Sequence, residues 1–190
     1  MWGDYEQKFP QGRTFYTLMF TQPGKKLNFM GNEFGQLREW DEKRGQDWDL
    51  LKYPLHDSFM EWFSALSRLY FIHPALHADE YNAASFRWIE NSSPAQCVYA
   101  YERGLGRERL LAVLNLSRNF YPGFPIGFDR PAVLVEALNS DWQRYGGGTP
   151  EEPRTLRTHA GAHHDMPYSF AMDLVPFGSV IYLVKEGHTE

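Results

Sequence analysis

The sequence predicts a mixed fold, in which a β/α unit of a parallel sheet or barrel is followed by an antiparallel all-β sandwich. Three observations carry that prediction. Long stretches with helical spacing of apolar residues fill the first part of the chain. A short apolar run bounded by glycines lies between them. After about residue 85 the texture changes to short β-branched and aromatic runs separated by turn residues.

The elements follow in order. Asp4 is a natural N-cap, and in "YEQKFPQGRTFYTLMFTQPG" the residues Phe9, Phe15, Tyr16, Met19 and Phe20 recur near helical spacing until Pro23-Gly24 stops them. Pro10 and Gly12 weaken the first half of this helix. Residues 26–30, "KLNFM", read as a short buried strand. A second helix runs from about Leu55 to Ile72, with Leu55, Phe59, Trp62, Phe63, Leu66, Leu69 and Tyr70 on one face, and ends before Pro74. Helix, buried strand, polar loop and helix is the order of a β/α unit. Strands are then expected at 86–90, 96–103, 109–117, 132–140, 168–174 and 179–185. The stretch from Tyr145 to Met166, rich in Gly, Pro and charge, reads as one long mobile loop.

Composition narrows the class. With 190 residues, 43% hydrophobic and 16% aromatic, the chain can bury a sizeable core. A formal charge of -5 with scattered basic residues argues against nucleic acid or an anionic membrane as partner. No run of about 18 apolar residues could span a bilayer, and the start has no secretory order of charge and apolarity. The lone Cys97 forms no intrachain disulfide and fits a reducing compartment, so the cytoplasm is the expected location.

The loop after "KLNFM" holds the chemistry. In a barrel of alternating strands and helices, ligands bind at the loops that follow the strands. Trp40 and Trp48 offer stacking faces, while Asn32, Glu33, Gln36, Arg38, Asp41 and Asp47 offer donors and acceptors for vicinal hydroxyls. That combination suits a sugar polymer. Asn32, Glu33, Trp40, Asp41 and Trp48 are therefore the expected substrate-binding residues. Glu33 is not expected to be a catalytic acid, because a retaining mechanism needs a second carboxylate held about 5 to 5.5 Å away and Asp41 lies on the same loop with no scaffold to fix it. "HAGAHHD" (159–165) has the density of a metal site without a spacing that puts its ligands on one face, and no metal or other cofactor is expected. Cys97 is expected to be a core residue of its strand, and the Trp62 and Phe63 stripe to be helix core.

The stretches "GDYEQKF", "PGKKLNFMGNEFGQLREWDEKRGQDWDLLKYPLH", "LSRLYFIHPALH", "FRWIE", "LNLS", "LNSDWQRYGG" and "PFGSVIYLV" occur in an order that resembles the carboxyl-terminal part of bacterial 1,4-α-glucan branching enzymes of the α-amylase superfamily. The resemblance covers nearly the whole chain, and the "GNEFGQ…EW…DW.LL" signature is its most specific part. It implies that residues 1–84 are the incomplete end of a (β/α)8 barrel with "KLNFM" as its eighth strand, and that residues 85–190 are the all-β domain that follows. It also implies transfer of α-1,4-glucan segments of glycogen or amylose to a 6-hydroxyl by double displacement through a covalent glycosyl-enzyme. In such enzymes the nucleophile, the acid/base and a third aspartate precede the eighth strand, the last within a His-Asp-Glu motif. That motif is absent here, so this chain is expected to hold no catalytic residue and to have no branching activity alone. A complete barrel needs about 250 residues, which makes the remaining barrel portion an expected partner. Two other readings are a different α-amylase-type enzyme, such as a trehalose-releasing hydrolase or debrancher, and a noncatalytic glucan-binding or assembly module.

Overall fold

Two antiparallel sheets and a pair of helices stack in three layers in the computed structural model, which describes residues 1–92 and 94–187. Helix α1 spans Tyr5–Thr21, its start closed by Gln7 Oε1 accepting from the Asp4 amide at 2.9 Å. Pro10 sits in its second turn and removes only the donor to the Glu6 carbonyl. Gly12 is buried against α2 (Pro54–Ile72), where a β-carbon would lie 2.9 Å from the Phe59 ring. The two helices meet through edge-on aromatic pairs, Phe9 with Phe59, and Tyr16 and Phe20 with Phe63.

Nine strands follow among the described residues. They are β1 (Phe86–Glu90), β2 (Val98–Arg103), β3 (Leu110–Asn115), β4 (Tyr121–Phe128), β5 (Ala132–Asn139), β6 (Thr155–Arg157), β7 (His159–His163), β8 (Met166–Leu174) and β9 (Ser179–Glu186). One sheet has the order β1-β2-β3-β9-β5-β6, the other β4-β8-β7. The expected antiparallel sandwich is thus present. Its inner core joins Val98, Ala100, Leu111 and Val113 of the large sheet to Ile126, Phe128, Phe170 and Leu174 of the small one. The opposite face of the large sheet carries the helices. Leu110, Leu138 and Ile181 pack with Phe20, Trp62, Leu66 and Leu69, and Tyr101, Ala112 and Leu114 meet Leu18. Strand β3 is therefore covered on both faces, which explains why "LLAVL" is an unbroken apolar run.

Hydrogen bonds tie the layers together. Thr17 Oγ1 meets Ser179 Oγ at 2.8 Å, and Thr21 Oγ1 meets the Tyr101 hydroxyl at 2.6 Å. Arg103, 1% exposed, donates to the carbonyls of Thr21, Leu76 and Ser85. One guanidinium so joins the end of α1, the turn after α2 and the approach to β1.

Several expectations need correction. Residues 26–30 form no strand, and Leu27, Phe29 and Met30 are 80%, 49% and 49% exposed. A strand is held by backbone bonds to a neighbour, and none of the described residues pairs with this run. The stretch 145–166 is not one loop, because β6 and β7 lie within it as edge strands whose backbone pairing does not depend on apolar side chains. Strand β4 escapes notice because "YPGFPIGF" carries two prolines, which an edge position tolerates. Cys97 precedes β2 in a turn, half-buried and left-handed with φ 53°, and is not a core strand residue. No helix among the described residues is long and apolar enough to cross a membrane.

Candidate functional site

The polar loop between the helices is organised from its two ends. Near its start Asn32–Phe34 form a single 3-10 turn bracketed by Gly31 and Gly35, both left-handed at φ 90° and 67°, a conformation that favours glycine. Phe34 is fully buried, and its carbonyl accepts from His56 Nδ1 of α2 at 2.7 Å. At the other end Trp48–Lys52 form a second 3-10 turn leading into α2. The Trp48 ring lies on Phe34, with centroids 4.8 Å apart. One buried phenylalanine thus anchors both ends.

An ion pair closes the middle. Arg38 binds Asp47 through Nε at 3.2 Å and Nη2 at 2.9 Å, and Nη2 also donates to the Gly45 carbonyl at 2.8 Å. Gln36 reinforces the closure by donating to the Arg38 carbonyl and accepting from the Asp47 amide. The hydrogen bonds that Arg38 donates to the Asp47 carboxylate push its pKa up further. Arg38 and Asp47 therefore shape the loop, and are occupied with each other.

Of the five residues expected to bind substrate, Asn32, Glu33 and Trp48 gather around the first turn. Glu33, half-buried, accepts from Asn28 Nδ2 at 2.9 Å, while Asn28 Oδ1 accepts from the Tyr16 hydroxyl at 2.7 Å. Burial first, and the Glu33 charge second, push the Tyr16 pKa up to about 12. Trp40 stands apart, edge-on to Phe29 at 5.6 Å. It is 44% exposed and Trp48 51%, so both keep ring surface for stacking. Asp41 turns back on its own loop, accepting from the Lys43 amide at 2.9 Å and pairing with Arg44.

Beside Asn32 lies a groove of about 370 Å³ lined by Phe9, Phe15, Tyr16, Leu37 and Phe59. It is mainly apolar, and Asn32 is among its lining residues. The arrangement can stack a flat apolar face and hydrogen-bond hydroxyls. Glu33 and Asp41 belong to separate hydrogen-bond networks. A larger cleft of about 460 Å³ opens in the sandwich near Glu136, Asn139 and Arg154, where Asn139 donates to Glu136 at 2.7 Å and the Arg154 amide donates to the same carboxylate at 2.8 Å.

Sequence reasoning missed the roles of Asn28 and His56. Asn28 sits inside the run read as a strand, and His56 is hidden on a helix face. A buried histidine 22 residues from the carbonyl it holds leaves no local signal. The aromatics of the β region divide: Tyr101 and Phe124 are buried, whereas Trp88 and Phe120 are 42% and 51% exposed.

Residues 88–185 match the family model described as "Alpha amylase, C-terminal all-beta domain". The chain is 36% identical over 183 residues to the 1,4-alpha-glucan branching enzyme GlgB of Nitrosococcus oceani, which covers 96% of this chain and 24% of that protein. It is 40% identical over 181 residues to the GlgB of Pseudomonas aeruginosa, covering 94% of this chain and 25% of the relative. The chain thus spans about a quarter of the length of these curated relatives. Among solved structures, a trehalulose synthase MutB mutant superposes with a TM-score of 0.61 at 16% identity over 96% of this chain and 40% of that one. Isomaltulose synthase from Klebsiella gives 0.55 at 16% identity, over 93% and 38%. These two likenesses concern the fold alone.

Proposed function

Because this chain belongs to the alpha-amylase C-terminal all-beta domain family, we propose that it is the carboxyl-terminal region of a 1,4-α-glucan branching enzyme. The observation that carries this reading is the identity of 35–40% to proteins of that name across nearly the whole chain, the 31–53 loop included. The parent would be a glycosyltransferase of glycogen biosynthesis, cytoplasmic, moving α-1,4-glucan segments to a 6-hydroxyl with retention. In that reading residues 1–84 are the end of a (β/α)8 barrel and residues 85–190 the domain after it. Exposure of Phe15, Leu27, Phe29, Met30 and Leu37, all at or above 49%, supports a layer built to be covered by further strands.

The site's part is to receive glucan. Asn32 and Glu33 would hydrogen-bond sugar hydroxyls, Trp48 and Trp40 would stack on rings, and Asp41 would contribute only after releasing Lys43 or Arg44. The groups named as nucleophile, acid/base and third aspartate would come from the remainder of the parent barrel. Incubated with amylose, the 190-residue chain should give no α-1,6 linkages above a no-enzyme control, whereas the complete parent protein should form them. Turnover by the chain alone would overturn the assignment.

A second reading, glucan binding without catalysis, is favoured for the isolated chain by the half-exposed Trp40 and Trp48. Maltooligosaccharides should quench its tryptophan fluorescence. Trp48→Ala should weaken that binding by about 1 kcal/mol, roughly fivefold. Unchanged affinity in both Trp40→Ala and Trp48→Ala would remove these rings from the site.

A further inference from the structure

Glu90, His163 and His164 come together at one end of the sandwich, far from the 31–53 loop in sequence. Glu90 ends β1 in the large sheet, and His163 ends β7 in the small one. Adjacent side chains in an extended strand point to opposite faces. Here the chain departs from that geometry: His164 and Asp165 are left-handed at φ 46° and 62°, and the two imidazole rings lie with centroids 4.0 Å apart. Non-glycine residues adopt such backbone at a cost, which requires compensation from the surroundings. Gly127 makes room for the turn, since a β-carbon there would sit 2.4 Å from the His163 carbonyl.

The third group is a carboxylate inside the protein. The Glu90 side chain is fully buried, and His164 Nδ1 lies 2.6 Å from its Oε2. Its other oxygen accepts from the Ser92 amide and hydroxyl, each at 2.8 Å. Burial pushes this carboxyl up, but Ser92 and His164 outweigh that and hold it below the usual carboxylate range. Ser92 thereby orients the other oxygen, Oε2, toward His164, as outer-shell partners do for metal-bound carboxylates.

We propose that Glu90, His163 and His164 form a divalent transition-metal site of the zinc class that cross-links the two sheets. One ligand atom from each residue lies within 4.8 Å of the other two. Tetrahedral zinc with nitrogen and oxygen ligands at about 2.0–2.2 Å needs them about 3.4 Å apart, so rotation of the half-buried His163 and the exposed His164 imidazoles closes the set. The metal takes the place of the proton shared between His164 and Glu90. Both histidines also line a cleft of about 310 Å³ with Gln96, Tyr121 and Phe124, where a water could complete the ligand set. Two imidazoles and a carboxylate suit zinc or cobalt better than magnesium or calcium. The sequence spacing within "HAGAHHD" could not show this site, because its buried ligand is contributed by a strand more than 70 residues earlier.

The test uses the chain stripped of metal by chelator and dialysis, titrated with Co2+ and followed by its visible ligand-field absorption, then with Zn2+ by calorimetry. One equivalent is expected to bind, and Zn2+ should raise the melting temperature. His163→Ala should weaken Zn2+ binding at least tenfold and abolish that rise, with an unchanged circular dichroism spectrum. Glu90→Gln, which keeps acceptors for Ser92, should do the same. Absence of binding below millimolar Zn2+, or equal affinity in the parent, His163→Ala and Glu90→Gln, would overturn the site.

Discussion

Replacing Trp62 by alanine should lower the unfolding free energy by about 3–5 kcal/mol, read from the shift of the urea midpoint. Trp62 is completely buried at the centre of α2, its ring edge-on to Tyr145 at 5.2 Å and packed among the residues that join the helices to the large sheet. Truncation leaves a cavity where three elements meet, and neither the sheet nor α1 can collapse into it without moving the other. Trp62→Phe should recover most of the loss. The indole Nε1 has no hydrogen-bond partner among the described residues, so phenylalanine orphans no acceptor there. A Trp62→Ala shift below about 1 kcal/mol would mean that the helix layer contributes little to the stability of the whole.

Arg103→Met should cost about 3 kcal/mol or more, for a different reason. The guanidinium is buried and its pKa is lowered, chiefly by burial, yet it is held by backbone carbonyls from three separate segments. Ser85 keeps the Gly104 amide as a second donor. Thr21 and Leu76 lose their guanidinium donor, and an unmade hydrogen bond at a buried carbonyl costs about 1–3 kcal/mol. Arg103→Lys should rescue little, since a single ammonium cannot reproduce the planar fork that reaches all three. Near-parental stability of Arg103→Lys in chemical denaturation would show that charge alone suffices and that the fork geometry is dispensable.

What the sequence revealed depended on whether the determining interaction was local. Both helices were legible because Phe9, Tyr16, Phe20, Phe59, Trp62 and Leu66 repeat at helical spacing. Six strands were legible because their side chains are β-branched or aromatic. Strands β4, β6 and β7 were not, since their place is fixed by backbone pairing at sheet edges, which composition does not encode. "KLNFM" erred in the other direction, an apolar run with strand composition but no neighbour to pair with among the described residues. At the loop, the polar and aromatic character of Glu33, Trp40 and Trp48 could be read directly. The Arg38–Asp47 closure and the His56 anchor could not, because each joins residues with no periodic relation.

The double covering of β3 has a consequence for where the molecule can be divided. A cut near residue 85 follows the change in sequence texture, yet it would strip the helices from Leu110, Leu114 and Ile181 and expose a broad apolar sheet face. The shared packing predicts that strands and helices unfold as one cooperative unit. Heating the intact chain in a calorimeter should give a single transition whose van't Hoff and calorimetric enthalpies agree, while a fragment starting at residue 85 should aggregate instead of melting reversibly. Two resolved transitions would show that the shared face is only a contact between independent folding units.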